Sequence, residues 1–330
     1  MSLPPSEIPS GAMRFNSDSQ KLEYWDGSQW VQVSTFSPNL NGGARGLNGG
    51  GINPSGATNS IDYINISSTG NALDFGDLTT TAFVNGACSS STRGLFAGGY
   101  TPGPSNVIAY VTISSTGNAQ DFGDTIGTDA RRIAGCSSPT RGIFDGGHVP
   151  AVTNTIQYVT IASTGNAVDF GDSTQARYLS GSCSSPTRGI FAGGVTPSLS
   201  NVIDFITIAT IGNSQDFGDL NAAKQGPPAG CSNATKGLFS NGYETSPINT
   251  IEYITIATTG NAVNFGDTTL ARNQSGACSS TIRGVFTGGS PTTNTIDYVT
   301  IATQGDAVDF GDLNELKRAH SSLSNAHGGL

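Results

Sequence analysis

A segment of the form Arg-Gly-[Leu/Ile/Val]-Phe-x-Gly-Gly recurs along this chain at a nearly fixed interval. It begins at Arg93, Arg141, Arg188, Lys236 and Arg283, and in a weaker form at Arg45, so that successive copies lie 48, 48, 47, 48 and 47 residues apart. A second marker, Asp-Phe-Gly-Asp, starts at Asp74, Asp121, Asp169, Asp216 and Asp309, with Asn264 in place of the first Asp in the fifth copy. Both series leave only about the first forty residues outside the repeat. A period of this size means that one supersecondary unit is stacked on copies of itself, because a single unit buries too little apolar surface to stand alone.

Each unit reads as four short strands, since β-branched and aromatic runs alternate with Gly, Pro, Asn and Ser clusters. In the copy around Arg188 the expected strands are residues 179–185, 188–194, 201–209 and 214–218. A Gly-Asn pair separates the last two strands at Gly70, Gly117, Gly165, Gly212 and Gly260, with Gly305-Asp306 in the sixth copy. Such pairs accept positive φ and are expected to form tight hairpin turns. Four strands per unit and this period predict an all-β chain folded as a β-propeller of six blades. The first unit lacks its first strand, and residues 317–326 match that strand, with Ser324 aligned to Cys278. The C-terminal strand is therefore expected to complete the first blade and close the ring, covering two sheet edges at once.

The glycine pair ending the second strand, the tyrosine of the third (Tyr63, Tyr110, Tyr158, Tyr253, Tyr298, with Phe205 once) and the aromatic of the fourth followed by a basic residue resemble the kelch class. Phenylalanine replaces the usual tryptophan of the fourth strand in every copy. The resemblance implies a kelch-like six-bladed propeller over residues 41–330 and describes architecture rather than activity.

Composition narrows the function. Fifteen Lys+Arg against 24 Asp+Glu give a net charge of −9, and no basic run occurs, which argues against a nucleic-acid partner. No window of about 20 apolar residues is present and the start lacks a secretion signal, so neither membrane insertion nor export is expected and synthesis is placed in a cytoplasm. Cys88, Cys136, Cys183, Cys231 and Cys278 occur once per repeat without metal-ligand spacing, which reads as small buried packing along a narrow axial channel. The six copies of the Asp/Asn-Phe-Gly-Asp marker lack any accompanying phosphate loop, so they read as structural turns whose last aspartates cap backbone groups or pair with cations such as Arg177 and Arg272. His148, His320 and His327 are neither repeated nor at ligand spacing, and no acidic or nucleophilic cluster interrupts the pattern. No enzyme, cofactor or metal is expected.

Variation between copies concentrates between the glycine pair and the third strand, where loops carry function more often than scaffold does. Tyr100, Thr101, His148, Thr196, Tyr243 and Thr292 are the candidate ligand-loop residues there. Residues 1–40 differ in kind: they hold both tryptophans and read as two or three strands, too few to be stable alone, so they are expected to pack on other copies or on another protein.

The run of Gly11, Arg14-Phe15-Asn16, Glu23, Trp25-Asp26-Gly27-Ser28 and Trp30-Val31 resembles a short β-motif of tail-fibre and other structural proteins of tailed bacteriophages. The repeats, with Thr-Arg-Gly-[Ile/Leu]-Phe-Ala-Gly-Gly and Tyr-Val-Thr-Ile-x-Ser-Thr-Gly-Asn-Ala-x-Asp-Phe-Gly-Asp, resemble virion structural proteins of marine phages. The resemblance implies a non-enzymatic virion protein of tail-fibre or receptor-binding type. Arg14, Phe15, Tyr24, Trp25 and Trp30 would attach it to other virion proteins, and the propeller loops would meet a host-surface glycan or protein. It also implies homo-oligomeric attachment. The alternative is a decoration protein that covers capsid or tail without touching a host; a third reading, a glycan-cleaving propeller enzyme, would need a clustered acidic site that the sequence does not offer.

Overall fold

The strand-forming runs are realised as antiparallel sheets of one repeated design. In this computed structural model residues 8–16, 21–32, 44–83, 85–101, 103–127, 130–149, 151–225 and 229–330 are described. The chain divides into two units, Met1–Leu40 and Asn41–Leu330.

In the larger unit the sheet around Arg188 is typical, with strands Gly181–Ser184, Arg188–Ala192, Val202–Thr207 and Gln215–Asp219 in that order. The first strand carries only small residues, while Ile190, Phe191, Ile203, Phe205 and Phe217 form the apolar body of the sheet and are buried. Phe205 and Phe217 meet edge to face at 6.0 Å, and the five other sheets repeat the contact with tyrosine on the third strand. The third and fourth strands share a bulge at the marker, where the register shifts between Ile203 and Asp204. Gly218 of Asp-Phe-Gly-Asp sits there at φ +143°, and a Cβ on it would lie 2.6 Å from the Gly260 carbonyl of the next sheet. Both constraints demand glycine.

Among the described residues six such four-stranded sheets are present. Five come from consecutive segments, and the sixth joins the C-terminal strand Ser321–Ser324 to Arg45–Gly49, Ser60–Asn65 and Leu73–Asp77. The first strands of successive sheets adjoin, and Ser321–Ser324 adjoins both Gly276–Ser279 and Gly86–Ser89. The arrangement is propeller-like. In one respect the expected pairing of the ends is corrected: Leu323 faces Leu47 as Cys278 faces Val285, so Leu323, not Ser324, stands at the cysteine position. A slip of one residue exchanges the two faces of a strand, and the face buried against the neighbouring sheet takes the apolar Leu323.

Three kinds of contact recur at every boundary between sheets, and a fourth at four of the six. Each buried thiol lies against the glycine of the next Arg-Gly pair, where a Cβ would come within 2.5 Å of the sulfur at Gly237–Cys183 and 2.6 Å at Gly142–Cys88; Leu323 fills the same place against Gly94. The cysteines thus pack between sheets, and burial pushes their thiols up, Cys278 to about 12. The Gly-Asn pairs do not make two-residue hairpins. Seven residues, 208–214, link the third and fourth strands, and their tip docks on the preceding sheet: Gly212 N–H donates to Phe170 O at 2.8 Å and Asn213 Oδ1 accepts from Asp172 N–H at 3.0 Å. The second-strand cation lies over its own sheet's aromatic and donates to carbonyls of the following sheet, as Arg188 does over Phe205 and to Ile256 O and Ala257 O.

The fourth contact is a buried ion pair. Arg177 binds Asp204 at 2.7 Å, Lys224 binds Glu252 at 2.8 Å, Arg272 binds Asp297 at 2.6 Å and Lys317 binds Asp62 at 2.9 Å. The aspartates ending the Asp-Phe-Gly-Asp markers are therefore not the partners of Arg177 and Arg272, because the cations point inward between sheets whereas those aspartates meet the neighbouring loop. At the two remaining boundaries the cation position holds Ala82 and Ala130, and the acid position Ala109 and Gln157. Charge is lost on both sides together, as the cost of one unpaired buried charge requires. Glu252→Ala is expected to lower stability by about 3–5 kcal/mol by stranding Lys224. The pair Lys224→Met with Glu252→Leu should recover most of it in denaturant unfolding at pH 7.

Candidate functional site

The N-terminal unit holds a three-stranded antiparallel sheet, Met13–Asn16, Lys21–Trp25 and Trp30–Gln32, whose register sets Tyr24 between Met13 and Val31, and Phe15 beside Leu22. Asp26 shapes its second turn by accepting from Ser28 and Gln29 N–H groups, which hold its carboxyl below the usual range, the Gln29 bond most. Strand alternation then divides the expected attachment residues between two faces. Arg14, Trp25 and Trp30 share the face with Glu23: the indoles are 5.5 Å apart, Arg14 lies 4.2 Å over Trp30, and its Nε donates to Glu23 at 2.9 Å. They hold the sheet together. Phe15 and Tyr24 lie on the other face with Met13, Leu22 and Val31, where Met13 is 61% and Phe15 65% exposed. The sequence reading missed Met13, Leu22 and Val31, although their alternation with polar residues was visible.

On the larger unit the loop residues fall mainly on small ribbons between second and third strands, such as Tyr100–Thr101 with Gly103–Pro104 and Val195–Thr196 with Ser198–Leu199. Tyr100, His148, Thr196 and Tyr243 are half-buried and Thr292 is exposed, while the side chain of Thr101 lies outside the described set. They are spread over five sheets. Tyr100 and His148 are linked through Arg131, whose guanidinium lies over the Tyr100 ring and bonds His148 Nδ1 at 3.3 Å.

The axis holds a feature that the sequence reading passed over. Ser137 Oγ donates to Ser89 O at 2.7 Å, Ser184 to Ser137 O, Ser232 to Ser184 O, Ser279 to Ser232 O, Ser324 to Ser279 O, and Ser89 to Ser324 O at 2.7 Å. The signal was the serine after every cysteine. The cavity beside these serines measures about 50 Å³ and a second, nearer the start of the inner strands, about 80 Å³. Such spaces admit a few waters and no saccharide or peptide. Beyond Ser324 the tail crosses the axis: Gly328 N–H donates to Ser232 O at 2.9 Å, and His327 Nε2 lies 3.1 Å from Ser89 O. Residues 327–329 thus lie against the inner-strand serines, where the small residues led a narrow channel to be expected.

No group of three or more His, Cys, Asp or Glu side chains suited to a metal occurs among the described residues. Among the described residues no helix is long and apolar enough to cross a membrane. No protein-family model matches the chain, and no curated protein matches it.

The axial histidines make the fold acid-sensitive. Burial holds His320 down at about 3, aided by the Lys317 and Arg272 charges, and His327 at about 4 against the pull of the Ser89 carbonyl. The unfolded chain takes up these protons near pH 6.5 and the folded chain does not, so stability falls as the pH drops below 6.5. Asp145, pushed up to about 6 by burial against the pull of Arg177, acts in the opposite sense between pH 4 and 6. His320 should cost about 2 kcal/mol at pH 5. His320→Gln, which can still reach Thr287 Oγ1, is expected to flatten the decline in unfolding midpoint between pH 7 and 5.

Proposed function

We propose that the chain is a non-enzymatic structural protein of a phage particle: the N-terminal sheet attaches it, and a closed six-bladed kelch-like propeller displays its loops toward a host surface. The observation that carries this reading is the uncovered apolar face of Met13, Phe15, Leu22, Tyr24 and Val31 on a sheet of three strands. Such a sheet is too small to be stable by itself and exposes the residues that a partner would bury. The blade count rests on six sheets of one design, and closure rests on the pairing of Ser321–Ser324 with Arg45–Gly49 and its contact with Gly86–Ser89.

The larger unit supports a display role rather than a catalytic one. Four of its buried cations are engaged as inter-sheet ion pairs, its thiols pack against glycines, and the cavities beside the inner-strand serines have no room for a substrate. Deleting residues 1–40 is expected to abolish co-sedimentation of the protein with the particle while leaving the thermal transition of residues 41–330 in place. Phe15→Ser with Tyr24→Ser should weaken co-sedimentation at least tenfold. Particles that retain the truncated protein at its normal copy number would contradict the reading.

A further inference from the structure

In every sheet the loop after the second strand forms a backbone bridge to the segment entering that sheet: Ile52 to Arg318, Tyr100 to Phe83, His148 to Arg131, Val195 to Tyr178, Tyr243 to Gln225 and Ser290 to Asn273. The fold uses only main-chain groups there, so the side chains are free to vary. On the sheets that begin at Gly86, Ala134 and Gly181 they converge on one chemistry. Phe83 packs on Tyr100 at 5.5 Å; Arg131 lies 5.6 Å over Tyr100 and bonds His148; His148 packs on Tyr178 at 5.9 Å; and Arg132 lies 5.3 Å over Tyr178. The remaining sheets pair Gln225 with Tyr243, Asn273 with Ser290 and Arg318 with Ile52 in these positions, so that none of them sets a cation over an aromatic ring there, and Arg318 donates to Gln274 at 3.0 Å.

We propose that this stripe is a binding site for a saccharide bearing an anionic group, preferentially a carboxylate. This deepens the display reading and rests on it for the ligand's place on a host surface. The rings of Phe83, Tyr100 and Tyr178 are all half-buried, each with part of its surface open to solvent. Half-exposed aromatic rings offer flat apolar platforms to the C–H faces of a sugar, with a polar edge in the tyrosines. Arg132 is also half-buried and stacks on Tyr178, which orients its planar donor fork while leaving its edge free for a carboxylate. Arg132 adopts φ +61°, where Leu179, Gln274 and Ala319 show the same left-handed conformation in other sheets. The backbone there is set by the repeat, so the arginine is not required by it. A neutral glycan would use the rings and leave the cations idle, and a protein partner of general kind would not need the two chemistries interleaved.

The test is isothermal titration of the full chain with three probes: a tetrasaccharide of galacturonate, a sulfated dextran oligosaccharide and maltotetraose. Binding of the galacturonate probe, weakened at least tenfold by Arg132→Gln and by Tyr178→Ala and unaffected by Gln225→Ala, is the expected result. Binding of the sulfated probe alone with the same variant pattern would retain an anionic-saccharide site and overturn the carboxylate preference. Equal binding of maltotetraose, no binding of any probe at millimolar concentration, or binding indifferent to Arg132→Gln and Tyr178→Ala would overturn the site. Saturation-transfer NMR of the galacturonate probe keeps the test open should one variant misfold. Because the titration uses free protein, its failure leaves particle attachment standing, and loss of attachment leaves the titration unaffected.

Discussion

An inner strand with a partner on only one side has an unsatisfied edge, and the rest of the larger unit depends on how that edge is met. Ser137 Oγ accepts from Ser89 N–H at 3.1 Å while donating to Ser89 O, so one hydroxyl satisfies both edge groups of its neighbour. Ser232, Ser279 and Ser324 repeat the reciprocal pair. Leaving such groups buried and unpaired would cost about 1–3 kcal/mol each. The hydroxyl reaches only if adjacent inner strands approach closely, and this explains the small residues around it. A Cβ on Gly135 would lie 2.5 Å from Ala87 O.

Close approach at the axis forces the sheets to diverge outward, and each larger radius is filled by a different contact. Thiol against glycine comes next to the serines, and charged pairs or their neutral substitutes hold the mid-depth. The docking of each third-to-fourth loop on the preceding Asp-Phe-Gly-Asp joins the outer strands. The two boundaries without an ion pair show that the geometry does not need charge. What it requires is that cation and acid appear or disappear together.

The repeat made the sheets legible before any coordinate was known, because period, strand count and the glycine-rich turns all follow from local patterning. The alignment of Ser324 with Cys278 was off by one residue, since the C-terminal strand has leucine where its siblings have cysteine and the volume match is seen only against Gly94. The Gly-Asn pairs were read as hairpins because the dipeptide has that local preference; in the fold Asn213 serves another sheet. Of the residues expected to attach the chain, Phe15 and Tyr24 lie exposed on one face of the small sheet, whereas strand alternation sets Arg14, Trp25 and Trp30 beside Glu23 on the other. The aromatic and cationic stripe was out of reach of the sequence: Tyr100 and His148 were singled out separately, but Arg131, which connects them, enters the sheet after that of Tyr100, and Tyr178, which packs on His148, enters the sheet after that of His148, so only the fold brings them together.

Hydrogen exchange, resolved by residue, tests the closed arrangement most directly. If Ser321–Ser324 completes the first sheet and the serine hydroxyls bind the inner strands around the axis, amides in 45–49, 86–89 and 321–324 should exchange only through global unfolding, with the same free energy as those in 181–184. Rapid local exchange confined to 45–49, 86–89 and 321–324 would mean that the ends form open edges, and would contradict the account.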